Sequence, residues 1–143
     1  MAATMGTEEW HRFVSSGTLT GKLGVVRADG RPHVVPIWFV LDDDGCLRLT
    51  TARDGLKAKA IRRDPRVVLC VDDQAPPYSF VKIDATAELS DDHDELLRVA
   101  TACGARYIGP EQAEDFGRRN AVPEEVLVTL RPTHVVALRD IAV

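Results

Sequence analysis

The chain has 143 residues, of which 45% are hydrophobic and 28% are charged, a balance typical of one globular domain with a buried core. Its formal net charge of −4 argues against nucleic-acid binding, because that function requires a basic surface. No apolar run of about 18 residues occurs, so no membrane span is predicted, and the N-terminal sequence MAATMGTEEW lacks the basic and apolar regions of a signal peptide.

The first elements in chain order are a short helix and a group of strands. Thr7 is predicted to cap the helix. Residues 19–51 then predict three strands joined by two turns, one at Asp29-Gly30, a strong hairpin signal, and one at residues 42–45. The acids of the second turn lack the spaced ligands and distal Glu of a calcium loop, so a solvated turn is expected.

The second half of the chain continues the strands and adds two helices. Residues 67–71 are apolar throughout, and residues 81–89 alternate between apolar and polar, so both segments predict strands. A helix is predicted from about Asp91, and a second, shorter helix within residues 109–120. Two final strands are expected on either side of Arg131-Pro132.

Together these elements predict a mainly β fold with short helices, one domain over residues 1–143. Closely spaced antiparallel strands of this kind favour a small barrel, which leaves no exposed sheet edge. The run VVPIWFVL, residues 34–41, is apolar on both faces and predicts a strand covered twice. A second copy of the chain is the simplest cover, so a homodimer is expected.

The three cysteines are odd in number and far apart, without a CxxC motif: Cys46, Cys70 and Cys103. This usage predicts reduced, buried thiols in a cytoplasmic protein. No metal site is predicted, because the spacing of known ligand sets is missing.

The predicted helix from Leu56 is rich in basic residues. On a helical wheel with Leu56 at zero, Ala60 falls near 40° and Ile61 near 140°, which defines an apolar arc. Lys57 falls near 100°, inside that arc, and is expected to point towards the sheet between Leu56 and Ile61. The other bases fall on the solvated side: Lys59, Arg62 and Arg63. A lysine buried at a helix N-terminus favours a bound anion. The alternatives are a side chain that reaches solvent past Ile61, or an ion pair with Asp54 or Asp64.

No phosphate-binding glycine loop, nucleophile elbow or zinc-protease motif occurs. The four histidines are scattered, and the sequence indicates no catalytic residue. If the protein is an enzyme, a cofactor is expected to carry the chemistry while the protein orients it.

The ordered segments GVVRADGRPHVVPIWFV, LRLTT, GLKAKAIRRDPRV, VVLCV and PPYSFVKIDATAEL resemble the pyridoxamine 5′-phosphate oxidase-like split-barrel family. With ARYIGPEQAEDFGRRNAVPEEVLV, the chain is similar to the actinobacterial branch of that family that uses the deazaflavin coenzyme F420. The resemblance implies a split β-barrel homodimer, with two cofactor sites at the dimer interface.

The resemblance also implies which residues contact the cofactor. The main chain of one strand would lie along the ring system: Val35, Pro36, Ile37 and Trp38. A second strand end would line the ring edge and the adjoining chain: Thr50, Thr51 and Ala52. Lys57 would bind the cofactor phosphate, with Arg53 and Lys59 as weaker candidates for the same anionic region. Tyr78 and Phe80 would reach the site from the partner subunit.

One departure from the family pattern bears on the cofactor. FMN-binding oxidases of this family usually carry an Arg-Lys pair where this chain has Leu56-Lys57, so a bidentate phosphate ligand is missing. The resemblance therefore favours an F420-dependent reductase that passes a hydride to an enone- or quinone-like small molecule. The alternatives are an FMN-dependent enzyme, a non-catalytic flavin or deazaflavin carrier, and a structural dimer without a ligand.

Overall fold

A computed structural model describes residues 2–142. The strands are β1 (Ala3–Thr4), β2 (Gly21–Val26), β3 (Pro32–Ile37), β4 (Val40–Leu41), β5 (Leu47–Ala52), β6 (Arg66–Asp73), β7 (Ser79–Ser90) and β8 (Glu125–Arg139). The helices are α1 (Thr7–Val14), α2 (Leu56–Arg63), α3 (His93–Tyr107) and α4 (Ala113–Asn120), with a 3₁₀ turn at Pro110–Gln112. Within the described residues, no helix has the length and apolar character needed to cross a bilayer.

All strands pair antiparallel in one curled sheet with the order β3-β2-β6-β7-β8-β5-β4, and β1 pairs with β8. Only Trp38 and Phe39 separate β3 from β4, so the chain itself brings the two ends of the sheet together. The inner face is fully buried, with Leu23, Leu49 and Ile83 among its largest side chains. The result is a mainly antiparallel split barrel, and the predicted fold class is confirmed.

The longer elements follow the sequence pattern closely. In β7 the inward positions Val81 and Ile83 are fully buried, as the alternation predicts. α3 is capped by Asp92, whose side chain accepts hydrogen bonds from the main-chain N–H groups of Asp94 and Glu95. The predicted cap of α1 is wrong, because Gly6 is the N-cap and Thr7 is the first helical residue.

Two strand predictions are corrected. Residues 19–51 form four strands instead of three, because the chain bends at Trp38–Phe39. The predicted twice-covered strand therefore ends at Ile37, and Val34 within it is 60% exposed in the single subunit. The two predicted final strands are one strand, β8, in which Pro132 pairs with Ala85 and Thr133 is bulged out. A bulge is one of the few places where a sheet accepts proline.

A network of charged side chains fastens α3 to the turn between β4 and β5. Asp42 accepts hydrogen bonds from Arg98 at 2.9 Å and from Arg48 at 2.7 Å. Arg48 also binds Asp44 at 2.7 Å. The hydrogen bond from Arg98 is the main cause that lowers the pKa of Asp42, and the one from Arg48 lowers the pKa of Asp44 to about 2.

Replacing Asp42 with asparagine should lower the free energy of unfolding at pH 7 by about 2 kcal/mol, because two partly buried guanidinium groups lose a charged partner. A carboxylate whose pKa is lowered in the folded state stabilises that state at pH values above its unfolded-state pKa of about 3.9. The contribution is lost as the pH falls through the folded-state pKa. Urea unfolding at pH 7, 5 and 3 should therefore show that the difference in free energy of unfolding between wild type and Asp42→Asn shrinks as the pH falls. Asp43→Asn, at an exposed neighbour, is the control and should match the wild type; a pH-independent difference would contradict this role for Asp42.

Candidate cofactor site

The split of the barrel is bounded by two strand edges that lack a strand partner. Within residues 2–142, β3 pairs only with β2, and β5 pairs with β4 only through Val40–Arg48 and Leu41–Leu47. Main-chain N–H and C=O groups along both edges are thus available to a ligand that enters the split.

The side chains at these edges divide between the core and the split. Ile37 is 8% exposed and Thr51 is 6% exposed, so both belong to the interior. The more accessible members of the predicted ring-binding set are Val35, Pro36, Trp38, Thr50 and Ala52. Most of the predicted ring contacts therefore involve main-chain atoms, with Trp38 as the one large exposed side chain, 40% exposed.

Lys57 lies on the inner side of α2, as the wheel predicts, and is half-buried. Ala60 and Ile61 on either side of it are buried, but Leu56 is 40% exposed and Ala58 takes its place in the buried face. The assignment of Leu56 to that face is therefore wrong. Neither Asp54 nor Asp64 pairs with Lys57; Asp64 instead binds Arg66 at 2.8 Å.

A carboxylate of β8 lies within electrostatic range of Lys57. Burial raises the pKa of Glu125, and the positive charge of Lys57 partly opposes that effect. Glu125 pairs in the sheet with Ala52, the last residue of β5. Lys57 therefore lies near the end of the split, and no carboxylate within residues 2–142 forms a close ion pair with it.

The two weaker anion candidates occupy different surroundings. Arg53 binds Asp91 and donates from Nε to the carbonyl of Pro123 at 2.7 Å, so its guanidinium is already engaged. Lys59 lies across α2 from Lys57, in a groove of about 350 Å³ lined by Arg27, Ala28, Leu56, Lys59 and Arg63. We call this the basic groove; no carboxylate within the described residues pairs with its three cations.

Tyr78 and Phe80 are not brought to the split of their own subunit. Phe80 lies in β7, and β2 and β6 separate β7 from β3, a distance of about 14 Å at ordinary strand spacing. Tyr78 is 42% exposed and its carbonyl accepts a hydrogen bond from Ile141 at 3.0 Å. Their contact with a cofactor from a second subunit, which the resemblance implies, stays a prediction.

Sequence reasoning missed several residues near the site. Arg27 and Arg63 complete the basic groove, and Glu125 approaches Lys57. Arg27 flanks the predicted Asp29-Gly30 turn, so its position at the end of β2 was open to prediction. The approach of Lys59 and Arg63 to Arg27 could not be predicted, because it depends on how α2 packs.

The curled antiparallel sheet with two open strand edges places the chain in the class of split-barrel proteins. The family model described as pyridoxamine 5′-phosphate oxidase matches residues 7–138. The chain belongs to this family, and the predicted family membership is confirmed.

Solved structures agree with this assignment. A conserved hypothetical protein, Rv2991, from Mycobacterium tuberculosis is 27% identical with a TM-score of 0.84, covering 97% of this chain and 89% of that chain. An F420 reductase is 25% identical with a TM-score of 0.67, covering 87% and 94%. A FAD-binding protein from Mesorhizobium loti, at 20% identity and a TM-score of 0.71 with 96% of each chain covered, shares the fold.

Proposed function

We propose that this chain is a cytoplasmic, homodimeric F420-dependent oxidoreductase that reduces an enone- or quinone-like small molecule. The observation that carries the proposal is the pair of open strand edges with Lys57 at one end. Such edges supply donors and acceptors to a flat heterocycle, and a half-buried lysine without a close counter-ion supplies the charge that a phosphate requires. Likeness to an F420 reductase supports the same choice.

In this proposal the protein binds, orients and excludes water. The main chain of residues 35–38 and 50–52 holds the ring, and Lys57 holds the phosphate. Reduced F420 supplies a hydride, so the acceptor gains two electrons and takes its proton from solvent. No side chain of this chain is assigned a proton-transfer role.

The second subunit of the proposed dimer covers an apolar groove on the outer face of β2, β3, β6 and β7. This groove measures about 650 Å³ and includes Val26, Pro32, Val34 and Val68. Exposed aliphatic side chains grouped on a sheet face are typical of an interface. In such a dimer Tyr78 and Phe80 would contact the cofactor of the other subunit.

FMN is the alternative cofactor, and the basic groove bears on the choice. FMN ends at its phosphate, whereas the tail of F420 continues with further acidic groups. Arg27, Lys59 and Arg63 form a second group of cations across α2 from Lys57, beside Leu56, which replaces the usual arginine. The arrangement therefore favours the cofactor with the longer anionic tail.

Parallel equilibrium titrations of the purified protein with F420 and with FMN, followed by ring fluorescence, test this proposal. We expect F420 to bind at least about tenfold more tightly, because each charge-assisted contact to the tail contributes about 1.5 kcal/mol or more. A higher salt concentration should narrow the difference between the two dissociation constants, because salt screens the contacts to the charged tail. Tighter binding of FMN would contradict the F420 assignment.

A further inference from the structure

The end of α3 carries an arginine whose partners are all main-chain carbonyls. Arg106 is half-buried, and within residues 2–142 no carboxylate pairs with it. Its guanidinium donates to Gly17 at 2.9 Å, Phe39 at 2.9 Å and Val14 at 2.7 Å. Its Cζ atom lies 4.8 Å from the ring centroids of both Phe39 and Tyr107. These contacts fix the guanidinium on the bend between β3 and β4.

Tyr107, the next residue, holds the same bend from a second direction. Its hydroxyl donates to the carbonyl of Leu19 at 2.9 Å and accepts from the main-chain N–H of Phe39 at 3.4 Å. Both main-chain polar groups of Phe39 are thus bound by side chains of α3. Phe39 is fully buried and directly follows Trp38, so the orientation of Trp38 is set from α3.

The indole of Trp38 is backed by two further rings. It stacks on Tyr107 with centroids 5.0 Å apart and an angle of 6°, and Phe116 lies at 5.8 Å with a tilt of 37°. α4 approaches α3 closely at Gly104, where an added Cβ would lie 3.0 Å from Phe116. Trp38 nevertheless stays 40% exposed at the edge of the split. It is a fixed aromatic surface with an accessible part.

We propose that Arg106 and Tyr107 are positioning residues that hold Trp38 as an aromatic wall of the substrate side of the split, and that this wall selects acceptors with a planar aromatic ring. The acceptor class rests on the function proposed above. Stacking on a ring that is already immobilised loses little conformational entropy. Naphthoquinones should therefore be preferred to enones that lack an aromatic ring, such as cyclohexenone.

The test uses a Trp10→Phe background, in which Trp38 is the sole tryptophan of the two in the chain. Naphthoquinone is titrated without cofactor while Trp38 fluorescence is followed, and KM is then measured with reduced F420 for naphthoquinone and for cyclohexenone. Arg106→Ala should raise the naphthoquinone Kd and KM by about fivefold, while the cyclohexenone KM, measured at saturating F420, changes less than about twofold. Arg106→Lys should fall in between, because an ammonium cannot reproduce the planar donor set.

Thermal melts establish that each variant is folded. If Arg106→Ala does not fold, Tyr107→Phe replaces it in the test, because this variant keeps the aromatic ring and loses only the hydroxyl contacts. Equal losses for both acceptors, or no loss for naphthoquinone, would overturn the proposal. The two proposals can fail separately. If the wild type does not bind F420, the proposed function is wrong. The role of Trp38 still stands in that case if naphthoquinone quenches Trp38 fluorescence and Arg106→Ala weakens the quenching.

Discussion

Replacing Lys57 with alanine should weaken F420 binding by roughly 1.5–3 kcal/mol, the range for a charge-assisted hydrogen bond. Lys57 is half-buried at the end of the split and has no close acidic partner within residues 2–142. Its charge is therefore available to a phosphate. Titration followed by F420 fluorescence measures the loss directly.

Two companion variants make the Lys57 result specific. Arg12→Ala removes one positive charge from an exposed position on α1 and should leave the Kd unchanged. Glu125→Gln removes the carboxylate that feels the charge of Lys57 and should tighten binding slightly. An unchanged Kd for Lys57→Ala, or equal losses for Lys57→Ala and Arg12→Ala, would refute the phosphate role.

Placing aspartate at Val34 should abolish the dimer at micromolar concentration. Val34 is 60% exposed in the single subunit and lines the apolar groove, so the monomer tolerates the change while an interface would bury an unpaired charge. A penalty of about 3 kcal/mol weakens association by more than about a hundredfold. Sedimentation velocity over a dilution series measures the change, and F420 binding should be lost with the dimer.

The position of the charge matters in this experiment. Ile37 is 8% exposed, so an aspartate there would unfold the chain and say nothing about its interface. Ile108→Asp is the matched control, at a residue that is 38% exposed outside the groove, and it should stay dimeric. A dimeric Val34→Asp protein would show that the interface lies elsewhere.

The sequence predicts those parts of the fold in which a single pattern decides the structure. The strict alternation of β7 and the capped, periodic α3 are of this kind. The bend at Trp38–Phe39 could not be predicted, because an apolar run without period does not show where a strand stops. The continuity of β8 was missed because Pro132 is read as a break, whereas the bulge at Thr133 accommodates it.

Prediction of the site succeeds where chain-local geometry suffices and fails where packing decides. The wheel places Lys57 correctly because its neighbours Ala60 and Ile61 lie on the same helix. It misplaces Leu56, which is 40% exposed, while Ala58 is fully buried instead. Arg106 gave no signal, since its role depends on loop carbonyls about ninety residues earlier in the chain.

Hydride transfer is the central claim, and anaerobic turnover tests it most directly. Wild-type protein is mixed with reduced F420 and naphthoquinone, and the return of the visible absorbance of oxidised F420 is followed. We predict that the protein catalyses the oxidation of reduced F420, with one quinone reduced for each F420 oxidised. Lys57→Ala should show a sharply reduced rate at limiting F420. Binding of F420 without turnover, against both naphthoquinone and cyclohexenone, would contradict the account and make the protein a carrier.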